Sequence, residues 1–495
     1  MGTDLILDMA CGALPDRVVL GRRDDGLSMA DLDRAAAGGA AALCAAQAAS
    51  VAYVGLNGPV LPALLFAAAR AGIPLTPLNY RASAGQLNAM IAELDRPYVV
   101  ADRAFAQAVP AVTLSEDWLG LALGTEPATP AGVNDDDPAV MLLTSGTTSK
   151  PKGVLLRHSH LLSYVLESVE FASAAEDDTI LVSVPPYHIA GIGSVLTNLY
   201  AGRRMIHLPD FSAREWLSLV RDERVTHAMV VPTMLARIVA ELDGATADAP
   251  RLRSIAYGGA RMPSNVLRAA LADFPRADFV NAYGLTETSS TIAVLGPEDH
   301  RAALAGNPVA ARRLGSVGRM IPGVECQIRG DQCQPLQPGD TGEIWVRGAQ
   351  VSGEYQGVGS VLDDDGWFRT RDQGRLDADG YLFVDGRIDD TIIRGGENIA
   401  PAEIEDVLLE HPAVDQVVVV GAPDEEWGER IVAVVVPVAG ADPDVQDLRA
   451  FVRSRLRSSR TPDEVVFRPE VPYTATGKVV RRELLGSVEE TRTKP

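Results

Sequence analysis

The reading turns on Met141-Leu142-Leu143-Thr144-Ser145-Gly146-Thr147-Thr148-Ser149-Lys150-Pro151-Lys152-Gly153-Val154. An apolar run of strand character enters a loop of small hydroxyl residues and glycine, with two lysines behind it. Small side chains let backbone N–H groups approach phosphate oxygens, hydroxyls add donors, and a lysine supplies charge. The common Gly-x4-Gly-Lys-Ser/Thr spacing is not met, because Pro151 stands where the second glycine belongs. A surface loop rich in Ser, Thr and Gly has the same composition, so the segment alone leaves both readings open.

Around it, Ala/Leu-rich helical stretches alternate with short β-branched runs. Residues 51–56 read as a strand and 61–71 as a helix, and strand-like runs recur at 180–184, 228–231 and 254–257. This alternation predicts parallel sheets covered by helices. Residues 35–69 carry no charge, but Asn57-Gly58-Pro59 and Pro62 interrupt them. A buried helix–strand–helix is expected there, not a membrane span. From 314 to 387 Gly-rich turns separate alternating strands, which predicts a small β-rich subdomain. After Ile388-Asp389-Asp390 the chain has its own apolar inventory: helices over 402–409 and 445–456, strands over 416–420 and 431–436. An α/β fold follows, with a large N-terminal domain (1–388) of helix-covered sheets plus the β-rich subdomain, and a small α+β C-terminal domain (389–495).

The 495 residues include 45 Lys and Arg against 66 Asp and Glu, a net charge of −21. That balance argues against a nucleic-acid coat, since a phosphate backbone must be met by cations. Cys11, Cys44, Cys326 and Cys333 are too sparse for a disulfide scaffold, and the last pair lacks a zinc spacing. His158 and His160 have no third ligand nearby and read as a surface loop. Met1-Gly2-Thr3-Asp4 lacks the basic start of a secretory signal, so a cytoplasmic protein is expected.

Further segments give Thr144 to Gly153 a context. In order they are Pro185-Pro186-Tyr187-His188-Ile189-Ala190-Gly191, Tyr257-Gly258-Gly259-Ala260 and Asn281-Ala282-Tyr283-Gly284-Leu285-Thr286-Glu287-Thr288. Thr370-Arg371-Asp372, Asp385-Gly386-Arg387-Ile388-Asp389-Asp390, Gly395-Gly396-Glu397-Asn398-Ile399 and Thr476-Gly477-Lys478-Val479 follow. Taken together over nearly the whole chain, this set resembles the adenylate-forming enzymes, in particular the acyl-CoA synthetase and carboxylate–CoA ligase branch.

The resemblance implies ATP, Mg2+ and CoA as the small molecules used. It makes Thr144, Ser145, Gly146, Thr147, Thr148 and Lys152 the phosphate loop, and Gly258, Gly259, Ala260, Tyr283 and Gly284 the adenine-side turns. Asp372 would accept the ribose hydroxyls, a job that suits a two-oxygen acceptor, with Arg387 in support. Glu287 would be the magnesium carboxylate, Thr286 a donor to the α-phosphate, and Lys478 the cation bridging substrate carboxylate and α-phosphate. Asp389 would be the hinge of the small domain, and Gly395 and Gly396 would flank the pantetheine arm of CoA. His188, Val231, Met234, Tyr257 and Thr291, with Gly258, Gly259 and Tyr283, would line the acid pocket. These side chains are mostly apolar or small, and the His188 segment lacks the acidic residue that amino-acid-activating relatives use. A hydrophobic or aryl acid is therefore expected.

Basic residues gather from Arg453 to Arg482, and such a patch could meet the nucleotide end of CoA or an acidic carrier protein. Ser149 and Arg371 stand where the family has glycine, which bears on nucleotide affinity and on the CoA step. Two other readings stay open. One is an adenylating enzyme that passes its acyl group to a carrier protein or separate transferase; the other is a catalytically silent nucleotide-binding protein.

Overall fold

The structure is a computed structural model and describes residues 2–110, 112–127, 132–144, 152–395, 397–424, 426–472, 479–481 and 483–484. Two large sheets form the N-terminal unit. Five parallel strands make the centre of the first, in spatial order Asp278–Leu285, Ser254–Gly258, His227–Val230, Thr179–Val182 and Arg204–His207. Ser290–Leu295 runs antiparallel beside Asp278–Leu285, and Val18–Leu20 extends the far edge. In the second sheet Leu75–Pro77, Ser50–Val54, Pro97–Ala101 and Val112–Leu114 are parallel neighbours, continued by the hairpin Pro138–Thr144/Lys152–Arg157.

A parallel sheet needs both faces covered, and here the two sheets share a helical layer. One apolar cluster joins Val51, Val140 and Leu142 of one sheet to Ile180, Val182 and Met205 of the other through Leu64, Phe66, Leu196 and Leu199. The helix Val60–Ala71 is buried on all sides from Val60 to Arg70, as an all-round apolar helix must be. Its one charge is answered: the Arg70 guanidinium lies 2.6 Å from Asp8 and 2.5 Å from Asp33. The uncharged run of residues 35–69 is thus the expected helix–strand–helix, Met29–Ala45, Ser50–Val54 and Val60–Ala71. Among the described residues no helix is long and apolar enough to cross a membrane.

The antiparallel strands Val324–Arg329, Gly342–Gly348, Phe368–Leu376 and Leu382–Arg387 form the β-rich subdomain. Beyond it, Val414–Asp424 pairs with Gly428–Pro437, and that sheet carries separate apolar clusters that include Ile404 and Leu448 on one face and Val471 and Leu484 on the other. Independent cores of this kind match the small α+β unit read from the sequence.

The surface-loop reading of His158 and His160 is corrected, since both belong to the helix His158–Ser168 and the half-buried His160 accepts the Arg157 N–H at 3.2 Å. His158 opens the helix His158–Ser168, is fully buried, and its Nδ1 accepts the Thr3 N–H at 3.0 Å. Burial holds its pKa down at about 4, against an ordinary value of 6.5. The unfolded chain therefore binds the extra proton first, so this group's stabilisation is complete above pH 6.5 and is lost as pH falls through about 4. Denaturation midpoints measured over that window should fall with pH, this histidine contributing about 1.4 kcal/mol per unit. In the shared helical layer, Phe66→Ala should cost about 3–5 kcal/mol, read as a lowered unfolding midpoint.

Candidate active site

Parallel strands of one sheet deliver their following loops to the same edge, and ligands of open α/β sheets bind outside the strands' carboxyl ends. At that edge lie Val231 after His227–Val230, Gly259 and Ala260 after Ser254–Gly258, and Thr286 and Glu287 after Asp278–Leu285. Backbone crowding accounts for two of the glycines. A Cβ at Gly258 would stand 2.1 Å from the Ala282 carbonyl oxygen, and one at Gly284 would stand 1.7 Å from that of Ser290. Only a bare backbone permits those approaches.

Thr286–Thr288 forms a single 3₁₀ turn, followed by left-handed Ser289 at φ 54°. The Thr288 hydroxyl accepts the Leu285 N–H at 3.0 Å, and buried Gln350 donates Nε2 to the carbonyls of Thr288 and Thr291 at 2.8 and 2.9 Å. These bonds hold the turn from both sides, so Glu287 leaves a rigid support. The Tyr355 hydroxyl donates to Glu287 Oε1 at 2.9 Å, and Lys152 Nζ lies 5.8 Å from the centre of the Tyr355 ring. Burial and the Glu287 carboxylate push the Tyr355 phenol above its ordinary range, so it remains a donor. Lys152 itself starts the return strand of the hairpin that carries the candidate phosphate loop, and the hairpin's base is closed by Thr144 Oγ1 to the Lys152 carbonyl at 3.3 Å.

Asp372 is buried and faces Arg387 across antiparallel strands in direct register. The Tyr283 hydroxyl donates to Asp372 Oδ2 at 2.6 Å, and Arg387 Nε lies 3.1 Å from Oδ1. Arg387 also donates to the Thr370 carbonyl at 2.8 Å, while Thr370 Oγ1 accepts the Asp372 N–H at 3.1 Å. Desolvation and the neighbouring carboxylate push the Tyr283 phenol well up, keeping its proton. Tyr283 and Glu287 flank one bend of chain, so the Asp372 group and the Glu287 group converge on the same strand end. This pairing of fixed anionic acceptors with donors and a phosphate-loop base is suited to a nucleotide with its metal. A hard oxygen at Glu287 fits magnesium, which takes most of its remaining ligands from phosphate and water. Among the described residues no group of three or more His, Cys, Asp or Glu side chains is placed to hold a metal ion.

The acid-pocket candidates meet at this edge, with one exception. Val231 is the nearest neighbour of a Cβ built at Gly259, Thr291 lies in register with Gly284, and the helix begun by His188 packs its Gly193 against Ser290. The half-buried Met234 sits in the first turn of Pro232–Leu242. Tyr257 is different: it is 1% exposed, belongs to the core, and its hydroxyl bonds His300 Nε2 at 2.8 Å. Side chains alternate along a strand, so this ring points into the core and its position offers a ligand only backbone.

Arg371 keeps the left-handed backbone, φ 62°, and pairs with Asp389. The basic run is less of a free patch than its sequence suggests. Arg455 lies 3.7 Å from Glu410, Arg460 contacts Glu397 and Glu403, and Arg481 contacts Asp390 and Glu405. Gly395, at φ 57°, is part of the turn after Ile392–Arg394. Ser145, Gly146, Thr147, Thr148, Ser149, Gly396 and Lys478 lie outside the described residues. Tyr355 and Gln350 escaped the sequence reading, and Thr370 entered it only as part of the Asp372 motif, because their contribution is to hold other groups across strands and no local spacing marks it.

The AMP-binding enzyme family model matches residues 7–356, and the model of its C-terminal domain matches 403–478. The chain belongs to the AMP-binding enzyme family. It is 37% identical to an indoleacetate–CoA ligase of Aromatoleum aromaticum, over 87% of this chain and 86% of that protein. It is 34% identical to the fatty acid–[acyl-carrier-protein] ligase ScoC of Streptomyces coeruleorubidus, over 88% and 86%. The crystal structure of ATP-bound MatB from Rhodopseudomonas palustris superposes with a TM-score of 0.88 at 27% identity, covering 99% of this chain and all of that one. The fold is therefore that of the adenylate-forming ligases, as the sequence motifs imply. For the Asp372 group, Tyr283→Phe removes a charge-assisted hydrogen bond and should cost about 1.5–3 kcal/mol of stability, measurable by denaturant titration.

Proposed function

We propose that the enzyme activates a hydrophobic or aryl carboxylic acid with ATP, releasing pyrophosphate, and transfers the acyl group to CoA with release of AMP. The observation that carries this reading is the convergence of the Tyr283–Asp372–Arg387 group and the Tyr355–Glu287 pair on one strand end. Asp372, with its carboxylate oriented by Tyr283 and Arg387, would accept the ribose hydroxyls. Glu287 would hold magnesium, which supplies positive charge to the phosphate chain. Thr286 would donate toward the α-phosphate, and Lys152 and the phosphate loop would receive the outer phosphates.

Adenylation brings a carboxylate to a phosphate, so two anions must be held together while charge builds at phosphorus. Lys478 would meet that charge and bridge the two reactants. The acid's hydrocarbon would lie among His188, Val231, Met234, Gly259 and Thr291, in a lining without an acidic group to bind an amine. The relative named for indoleacetate supports an aryl acid. The small C-terminal unit would turn about Asp389 between half-reactions, exchanging the lysine for the CoA-binding side with Gly395 and Gly396. A second reading, transfer to an acyl carrier protein, is favoured by the 34% identity to a carrier-protein ligase.

Acid-dependent pyrophosphate release over a carboxylic-acid panel, with and without CoA, tests this directly. Pyrophosphate with AMP and an acyl-CoA detected by mass spectrometry is expected. Adenylate without thioester moves the answer to the carrier reading, and a protein that binds ATP but releases no pyrophosphate across a broad panel is the silent one. Lys478→Ala should slow pyrophosphate release ~10²–10³-fold, the order of losing one donor at a developing oxyanion. No slowing in that variant would overturn the assignment of Lys478.

A further inference from the structure

Among the described residues Arg261 of the large unit pairs with Asp406 of the small unit, and the connector Ile388–Asp390 is a single 3₁₀ turn. Its two neighbouring carboxylates face opposite ways. Asp390 Oδ2 lies 3.4 Å from Arg481 of the small unit, whereas Asp389 Oδ1 takes Arg371 of the large unit at 2.8 Å. Arg371 lies where the strand Phe368–Leu376 bulges: its partner strand covers Glu343 to Trp345 while this strand covers Gln373 back to Arg369. Bulges re-aim side chains, and here a non-glycine residue occupies φ 62° at the centre of one. Left-handed backbone is unfavourable for arginine, yet it is the conformation that sends this side chain to Asp389.

We propose that Arg371 is a positioning residue that fastens the connector to the large unit through Asp389 and thereby sets the balance between alternative placements of the small unit. This rests on the reading above that the small unit turns about Asp389. The other ionic groups nearby do not replace the pair. Glu343 also faces Arg371 but is held by Arg369 at 2.8 Å, and Arg387 is committed to Asp372 and the Thr370 carbonyl. With side chains 54% and 40% exposed, the Arg371–Asp389 pair is weak enough to open on every turnover and to be screened by salt. An exposed pair of this kind biases a two-state equilibrium by roughly two- to fivefold. That range suits a latch better than a lock.

The test uses the full chain with one spin label on each unit and reads the inter-label distance distribution. Arg371→Asn removes the cation while tolerating left-handed backbone, and Arg371→Gly removes it while relieving the backbone. Both should shift the populations roughly two- to fivefold at low salt, Asp389→Asn should give the same shift, and the Arg371→Asn/Asp389→Asn double variant should add nothing. Wild-type protein in high salt should approach the variants. In single turnovers the same variants should change the ratio of thioester formation to adenylate formation. An unchanged distribution in Arg371→Asn overturns the proposal, as do additive effects in the double variant, or a shift in the Gly variant alone. A population shift in protein that forms no adenylate from any acid would sink the proposed reaction but leave the latch standing.

Discussion

Two parallel sheets that each need both faces covered can share one layer of helices only if that layer is apolar on every side. The helix from Val60 to Ala71 meets this condition, and the cluster through Phe66, Leu64, Leu196 and Leu199 welds the sheets into one body. Polar groups in this interior must be paired, as Arg70 is with Asp8 and Asp33, and the sheet edges are left for the rest. The carboxyl ends of His227–Val230, Ser254–Gly258 and Asp278–Leu285 form such an edge, and the hydrogen-bonded Asp372 and Glu287 groups gather around it.

The local chemistry at that edge is one of enforced orientation. Asp372 does not stand as a free carboxylate: cross-strand register sets Arg387 opposite it, and the Tyr283 hydroxyl fixes the other oxygen. Glu287 likewise sits on a turn pinned by Thr288 and Gln350 and is touched by Tyr355 from a different sheet. Under the proposed function, orientation of this kind would lower the reorganisation needed when a nucleotide's hydroxyls and phosphates arrive. The supporting residues come from the β-rich subdomain and the second sheet, so the edge is completed only when three separate layers have assembled.

The same assembly gives meaning to an oddity of composition. A net charge of −21 on a protein of a family that handles nucleotides and CoA raises the question of how the anions are tolerated. Much of the arginine in the small unit is spent against its own carboxylates, as with Arg460 and Arg481, so the basic run is an internal scaffold to a large degree. Arg371 extends that scaffold across the connector, in a position where backbone geometry alone would choose glycine.

Periodicity and punctuation in the chain were enough to locate the sheets, the β-rich subdomain and the small terminal unit, because burial on both faces of a parallel strand writes itself as a continuous apolar run. Ordered motifs such as Tyr283-Gly284-Leu285-Thr286-Glu287 and Thr370-Arg371-Asp372 named the family, since a backbone that must pass 1.7 Å from where a Cβ would sit leaves glycine as the sole choice at Gly284. Side-chain direction and long-range partnership were not legible. Tyr257 belongs to the core with His300, His158 is buried against Thr3, and Tyr355 reaches Glu287 from 68 residues away. Local sequence determines which backbone paths are sterically open and which faces must be dry. Which carboxylate meets which donor was decided only in the tertiary structure, because a hydrogen bond between distant residues depends on strand register and layer packing that no window of neighbouring residues contains.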